Sequence, residues 1–203
     1  SLPEDPKALG VLDLSVSSSN LTGRDSNNTA TFTDRVFKRM RSDGLTLGIG
    51  RFLEPRGFYL TDAFEGRPGD PRERRTIHLG IDLFEQPGKA IHAPLAGHVH
   101  SVRDNDARLD YGPTVILEHH APSGPFWTLY GHLQRTSVEN LTAGDPVEAG
   151  QTIARIGPYP ENGDWPPHLH FQIITDLMGF EGEFPGVALP RDRGVWASFS
   201  PDP

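Results

Sequence analysis

The chain has 203 residues, a formal net charge of −8, no cysteine, 22 glycines and 19 prolines. Its length suits one domain with a real core. The missing thiols exclude a disulfide framework, a thiolate metal site or a cysteine nucleophile, and the acidic balance argues against nucleic acid as a partner. No run approaches ~18 consecutive apolar residues, so no membrane-spanning helix is expected.

In chain order, "SLPEDPKALG" lacks the basic-then-apolar pattern of a secretion signal, and residues 1–30 end in the polar stretch "SSSNLTGRDSNNTA". They read as an arm or linker before a single β-domain over residues 31–203. "TDRVFKRMRSDG" predicts one short helix, with Thr33 as N-cap, Val36, Phe37 and Met40 on one face, and Gly44 at the stop. Strand signals then dominate: "LTLGIGRFL" and "GFYL", a charged loop "EGRPGDPRERR", and then "TIHLGIDLF", "KAIHAPLAGHVHSV", "PTVILEHH", "FWTLYGHL", "TIARIG" and "HLHFQII". Each is short, rich in β-branched or aromatic residues and bounded by turn formers. The fold class expected is mostly β: an antiparallel sandwich or flattened barrel with a polar N-terminal arm.

All nine histidines fall between His78 and His170. In "HLH", His168 and His170 share a strand face about 7 Å apart and can flank one site, although a lone pair of this kind also suits a solvated face. In "HLGID", His78 and Asp82 share a face on either a helix or a strand; alone they equally suit a surface pair. His132 in "LYGHL" reads by itself as a packing or turn residue. His92, His98, His100, His119 and His120 have no carboxylate at ligand spacing and read as ordinary strand positions.

Together, His78, Asp82 and one of His168 or His170 supply three N/O ligands, the set of a catalytic zinc site with its fourth position open. Zinc lowers the pKa of a bound water to ~7 and polarises a carbonyl, which makes amide hydrolysis feasible near neutrality. The remaining histidines suit proton transfer and oxyanion stabilisation.

"HLGID", "YGHL" and "PPHLHFQI", in that order, resemble the lysostaphin-type (LytM-like) zinc metallopeptidases, as do "PGKAIHAPLAGHV" and "GDPVEAGQTIARIG" between them. The resemblance covers about residues 76–175 and implies a duplicated hybrid motif fold. It also implies one Zn²⁺ per chain held by His78, Asp82 and His170, with His168 as general base and His132 helping to stabilise the tetrahedral intermediate. The expected substrate is a peptide or a small amide. Two other roles stay open: a non-catalytic zinc-binding or scaffolding module within a larger enzyme, and hydrolysis of a metabolite amide.

The approach to HxH departs from the family pattern. "GPYPENGDWPPHLH" is stiffer and more aromatic than a Gly/Thr/Ser-rich segment. This loop and the tail "MGFEGEFPGVALPRDRGVWASFSPDP" resemble the middle domain of bacterial fusions. There the domain lies between kinase-like and class III aminotransferase-like, pyridoxal-phosphate-dependent domains. That placement implies the cytoplasm, whereas a cell-wall peptidase would be periplasmic or secreted. The arm could also fold over the groove, with a side chain such as Asn20 at the open metal position.

Overall fold

A computed structural model describes residues 8–18, 28–67 and 69–203. The chain forms strands β1 (Leu9–Val11), β2 (Leu47–Gly50), β3 (Glu65–Arg67), β4 (Asp70–Arg74), β5 (Ile77–His78), β6 (Ile81–Phe84) and β7 (Ala90–His92). These are followed by β8 (Gly97–Asn105), β9 (Gly112–Ala121), β10 (Gly124–Gly131), β11 (Pro146–Val147), β12 (Thr152–Arg155), β13 (His168–Ile174) and β14 (Val187–Ala188). Helices α1 (Thr29–Ser42), α2 (Arg135–Val138) and α3 (Arg193–Phe199) complete the described secondary structure apart from two short 3-10 turns.

Eight strands make one open sheet in the order β1-β2-β6-β13-β10-β9-β8-β11, antiparallel except for the β1–β2 pair. β7 pairs with β12, β5 with β14 and β3 with β4 in three small ribbons. Alternation along the central strands gives the sheet two apolar faces. On β9, Val115 and Leu117 join one cluster with Ile91, Leu133, Val138 and Ile153. Ile116 joins the other, with Leu129, Ile174 and Phe184, against which Trp196 and Phe199 of α3 pack. The mostly β, antiparallel expectation holds, and the sheet does not close into a barrel.

Three local expectations change. The helix starts at Thr29 rather than after Thr33, because the Asn28 side chain accepts the Thr31 N–H at 2.9 Å and caps it earlier. Val36, Phe37 and Met40 share its buried face as expected, joined by Phe32, and Gly44 takes a positive φ of 70° just past the end. "GFYL" is not a strand: Phe58 and Tyr59 instead turn into an aromatic cluster with Phe32, Phe64 and Trp165. The charged loop is a short hairpin, β3–β4.

Within the expected arm, residues 9–14 are part of the domain. β1 pairs in parallel with β2, and Leu12 and Leu14 are 4% and 2% exposed in the same cluster as α1. The apolar alternation Leu9, Val11 was too short to stand out from its polar flanks. Asn20 and residues 19–27 lie outside the described residues.

Leu14→Ala should therefore cost about 2–5 kcal/mol in denaturant unfolding, as a buried truncation does. A loss under about 0.5 kcal/mol would mean that this segment is surface arm.

Candidate metal centre

The register of the sheet places the site. Asp82 on β6 lies directly opposite His170 on β13, with Gly50 of β2 beyond Asp82 and Gly131 of β10 beyond His170. The flanking glycines leave room for what packs there. A Cβ at Gly50 would sit 2.6 Å from Arg56 Nη2, and one at Gly131 would sit 2.5 Å from the Tyr111 ring. His78 reaches the same point from β5, a separate two-stranded ribbon with β14, because the chain bends at Gly80 before β6 begins. A Cβ at Gly80 would lie 2.8 Å from the His170 imidazole, so this position of "HLGID" is shaped by the neighbouring ring.

His78 Nε2, Asp82 Oδ1 and His170 Nδ1 converge. They are separated by 3.1 Å (His78–Asp82), 3.0 Å (His78–His170) and 3.3 Å (His170–Asp82). All three residues are buried, and their ligand atoms form a group that could hold a metal ion. The outward nitrogens fix which atoms face inward. His78 Nδ1–H donates to the Arg51 carbonyl at 3.0 Å. His170 Nε2–H donates to Gln172 Oε1 at 3.0 Å, and that amide is held by donating to Pro185 O and Ser200 Oγ. Both inward nitrogens therefore present lone pairs. Asp82 Oδ1 is buried and accepts no hydrogen bond.

Three acceptors facing one another in a buried site repel unless a cation sits among them. Their spacing suits one: ligand bonds of ~2.0–2.1 Å in a tetrahedron give edges of about 3.3–3.4 Å. The residues present fit zinc.

His168 and His132 complete the cluster. His168 Nε2 is 3.7 Å from Asp82 Oδ1, and its Nδ1–H donates to Pro166 O at 2.6 Å. The His132 ring centroid is 4.3 Å from that of His168 and 6.3 Å from that of His170; its Nδ1–H donates to Asn162 O at 2.8 Å. His132 adopts a positive φ of 64°, a conformation sparsely populated outside glycine, at the point where β10 leaves the sheet. Asn162, fully buried, ties the aromatic loop together by bonds to Gly157 O, Trp165 O and Trp165 N. All five expected site residues are thus brought together. The other five histidines lie outside the cavity lining: His92, His98 and His120 are exposed, His100 is half-buried, and His119 is buried on Ala96 O and Thr128.

Sequence reasoning missed Arg56. It is buried, donating to Asp82 Oδ2 at 2.6 Å, to Tyr59 Oη at 3.0 Å and to Glu54 Oε2 at 3.1 Å. Glu54 in turn accepts from Leu14 N and from Arg51, which pairs with Asp13. Arg56 therefore occupies one carboxylate oxygen of Asp82 and leaves Oδ1 to the cluster. No spacing rule links "EPR" to a site 26 positions on. Gln172 was missed as well, although alternation places it on the same face as His170, two residues on.

Burial alone would raise the Asp82 carboxyl, yet the Arg56 guanidinium and the imidazoles hold it well below the usual range. Burial, aided by the Arg56 charge, pushes His78 down to about 4, and burial likewise lowers His132 and His168. The imidazoles of His78, His132 and His168 are therefore neutral at pH 7, as metal ligation and base catalysis require.

This has a consequence for metal-free protein. The unfolded His78 binds its proton near 6.5 and the folded one only near 4, so between those values the unfolded state is the more protonated. Stability present above pH 6.5 should be lost as pH falls toward 4, by on the order of 3 kcal/mol for a shift of that size. Denaturant midpoints measured across this window test it; a flat profile would contradict burial of neutral imidazoles.

The chain matches peptidase family M23 over residues 76–180. Among solved structures it is similar to a mutant catalytic domain of the prophage-encoded M23 protein EnpA from Enterococcus faecalis, at 28% identity. That likeness covers 55% of this chain and 75% of that one, with a TM-score of 0.40. It is also similar to the catalytic domain of the antimicrobial peptidase lysostaphin from Staphylococcus simulans, at 26% identity over 57% of this chain and 77% of that one, with a TM-score of 0.40. No curated protein matches at a significant level.

Proposed function

The chain belongs to peptidase family M23, and from that premise we propose that it is a zinc-dependent hydrolase of amide bonds, with one Zn²⁺ held by His78, Asp82 and His170. The observation that carries the reading is the convergence of two imidazole lone pairs and an unbonded carboxylate oxygen within 3.3 Å of one another in a buried site. A bound zinc ion supplies Lewis acidity, polarising the scissile carbonyl and lowering the pKa of a coordinated water to about 7.

The chain's own residues do the rest. Arg56 orients Asp82 and keeps it ionised. Gln172 and the Arg51 carbonyl hold the two imidazoles in the tautomers that turn lone pairs inward. His168 Nε2, free of its own backbone bond and nearest the ligand atoms, accepts the proton of the attacking water. His132 is likewise anchored through Nδ1, so its Nε2 accepts when neutral and donates once protonated. It is assigned to the developing oxyanion, which it can serve only after receiving the proton that the adjacent His168 takes from the water, because the ring is neutral beforehand. The low proton affinity of both rings keeps them in base form before turnover.

His170→Ala should lose the metal, whereas His168→Ala should retain about one zinc per chain by elemental analysis and lose hydrolysis by 10²-fold or more. Hydrolysis surviving in metal-free protein would sink the mechanism. Normal zinc binding by both variants would overturn this division of roles.

A further inference from the structure

The cavity that reaches the ligand cluster has a second part for which hydrolysis itself has no use. Its volume is about 490 Å³, within the ~300–1,000 Å³ range of small-molecule sites. Besides the histidines and Asp82, its lining includes Phe32, Phe58, Tyr59, Phe64 and Trp165.

These rings form one interlocked wall. Tyr59 and Phe64 stack at 4.4 Å, Phe32 meets Phe58 edge-on at 5.1 Å, and Trp165 meets Phe58, Tyr59 and Phe64 at 6.0–6.3 Å. The wall runs directly into the chemistry. The Trp165 ring centroid is 6.2 Å from that of His132, and Phe84, a further lining residue, stacks on His168 at 4.8 Å. Four of the five rings come from residues 32–64, ahead of the segment that matches the family. Most of the wall is therefore built by chain outside the matched segment.

Here a half-open, ring-lined pocket adjoins the reacting centre, and such surface gains free energy by covering another apolar ring. We propose that this wall is a specificity pocket for an aromatic group of the substrate lying a few bonds from the scissile carbonyl, so that the chain cleaves a small amide bearing an aromatic group. The inference rests on the hydrolase reading.

Chelating probes separate the two. Acetohydroxamate and 3-phenylpropionohydroxamate share a metal-binding head and differ in the ring, so calorimetric titration of zinc-loaded protein reads the pocket without any turnover. The phenyl compound should bind at least about tenfold tighter than acetohydroxamate. Phe64→Leu, which keeps an apolar core, and Ala63→Trp, at an exposed position on the rim of the lining, should each shrink that ratio and leave acetohydroxamate affinity unchanged. A ratio near one in the unaltered protein, or a ratio untouched by both substitutions, overturns the pocket while the hydrolase reading stands. Loss of all hydroxamate binding, in protein that takes up no zinc, overturns both.

Discussion

Three electron-pair donors held about 3 Å apart in a buried site are unfavourable until a cation joins them, and much of this molecule is arranged to keep them there. The sheet supplies two of them as a directly opposed pair, Asp82 and His170, and flanks the pair with glycines. The third enters from a ribbon outside the sheet, so the centre ties β5 to β6 and β13. Each donor is then fixed from behind: His78 by a backbone carbonyl, His170 by Gln172, Asp82 by Arg56. A buried arrangement of this kind is weak evidence of stabilisation, since desolvating the charges costs as much as their attraction returns. It makes sense as preorganisation for an ion.

Around that centre the chain combines two layers of different origin in sequence. The segment matching the family carries every residue assigned to ligation or proton transfer. The segment before it carries α1, the Glu54–Arg56 pair and four of the rings that enclose the cavity. The chemistry thus lies in one stretch, while the cavity is shaped by that stretch and the preceding one together.

How much of this was legible in the sequence depended on range. Motifs whose members are neighbours on one strand, such as His168 and His170, or that straddle one bend, such as His78 and Asp82, project together by geometry alone, and the ordered set of three motifs placed all five site residues in one cluster. The helix was found from its apolar face, although its start was misplaced because a capping asparagine five residues upstream outweighed Thr33. Arg56 and the aromatic wall were not legible, because their meaning arises only when loops distant in sequence pack together. "GFYL" looked like a strand for its β-forming composition, yet Phe58 and Tyr59 gain more by filling the space between α1 and Trp165 than a ladder would return.

The central claim is that His78 Nε2, Asp82 Oδ1 and His170 Nδ1 enclose one zinc ion. Anomalous diffraction at the zinc edge, from crystals of protein loaded with a single equivalent, tests it most directly. The account predicts one peak lying ~2.0–2.2 Å from each of those three atoms. A peak centred instead between His132 and His168, or no ordered peak at full occupancy of zinc in solution, would contradict it.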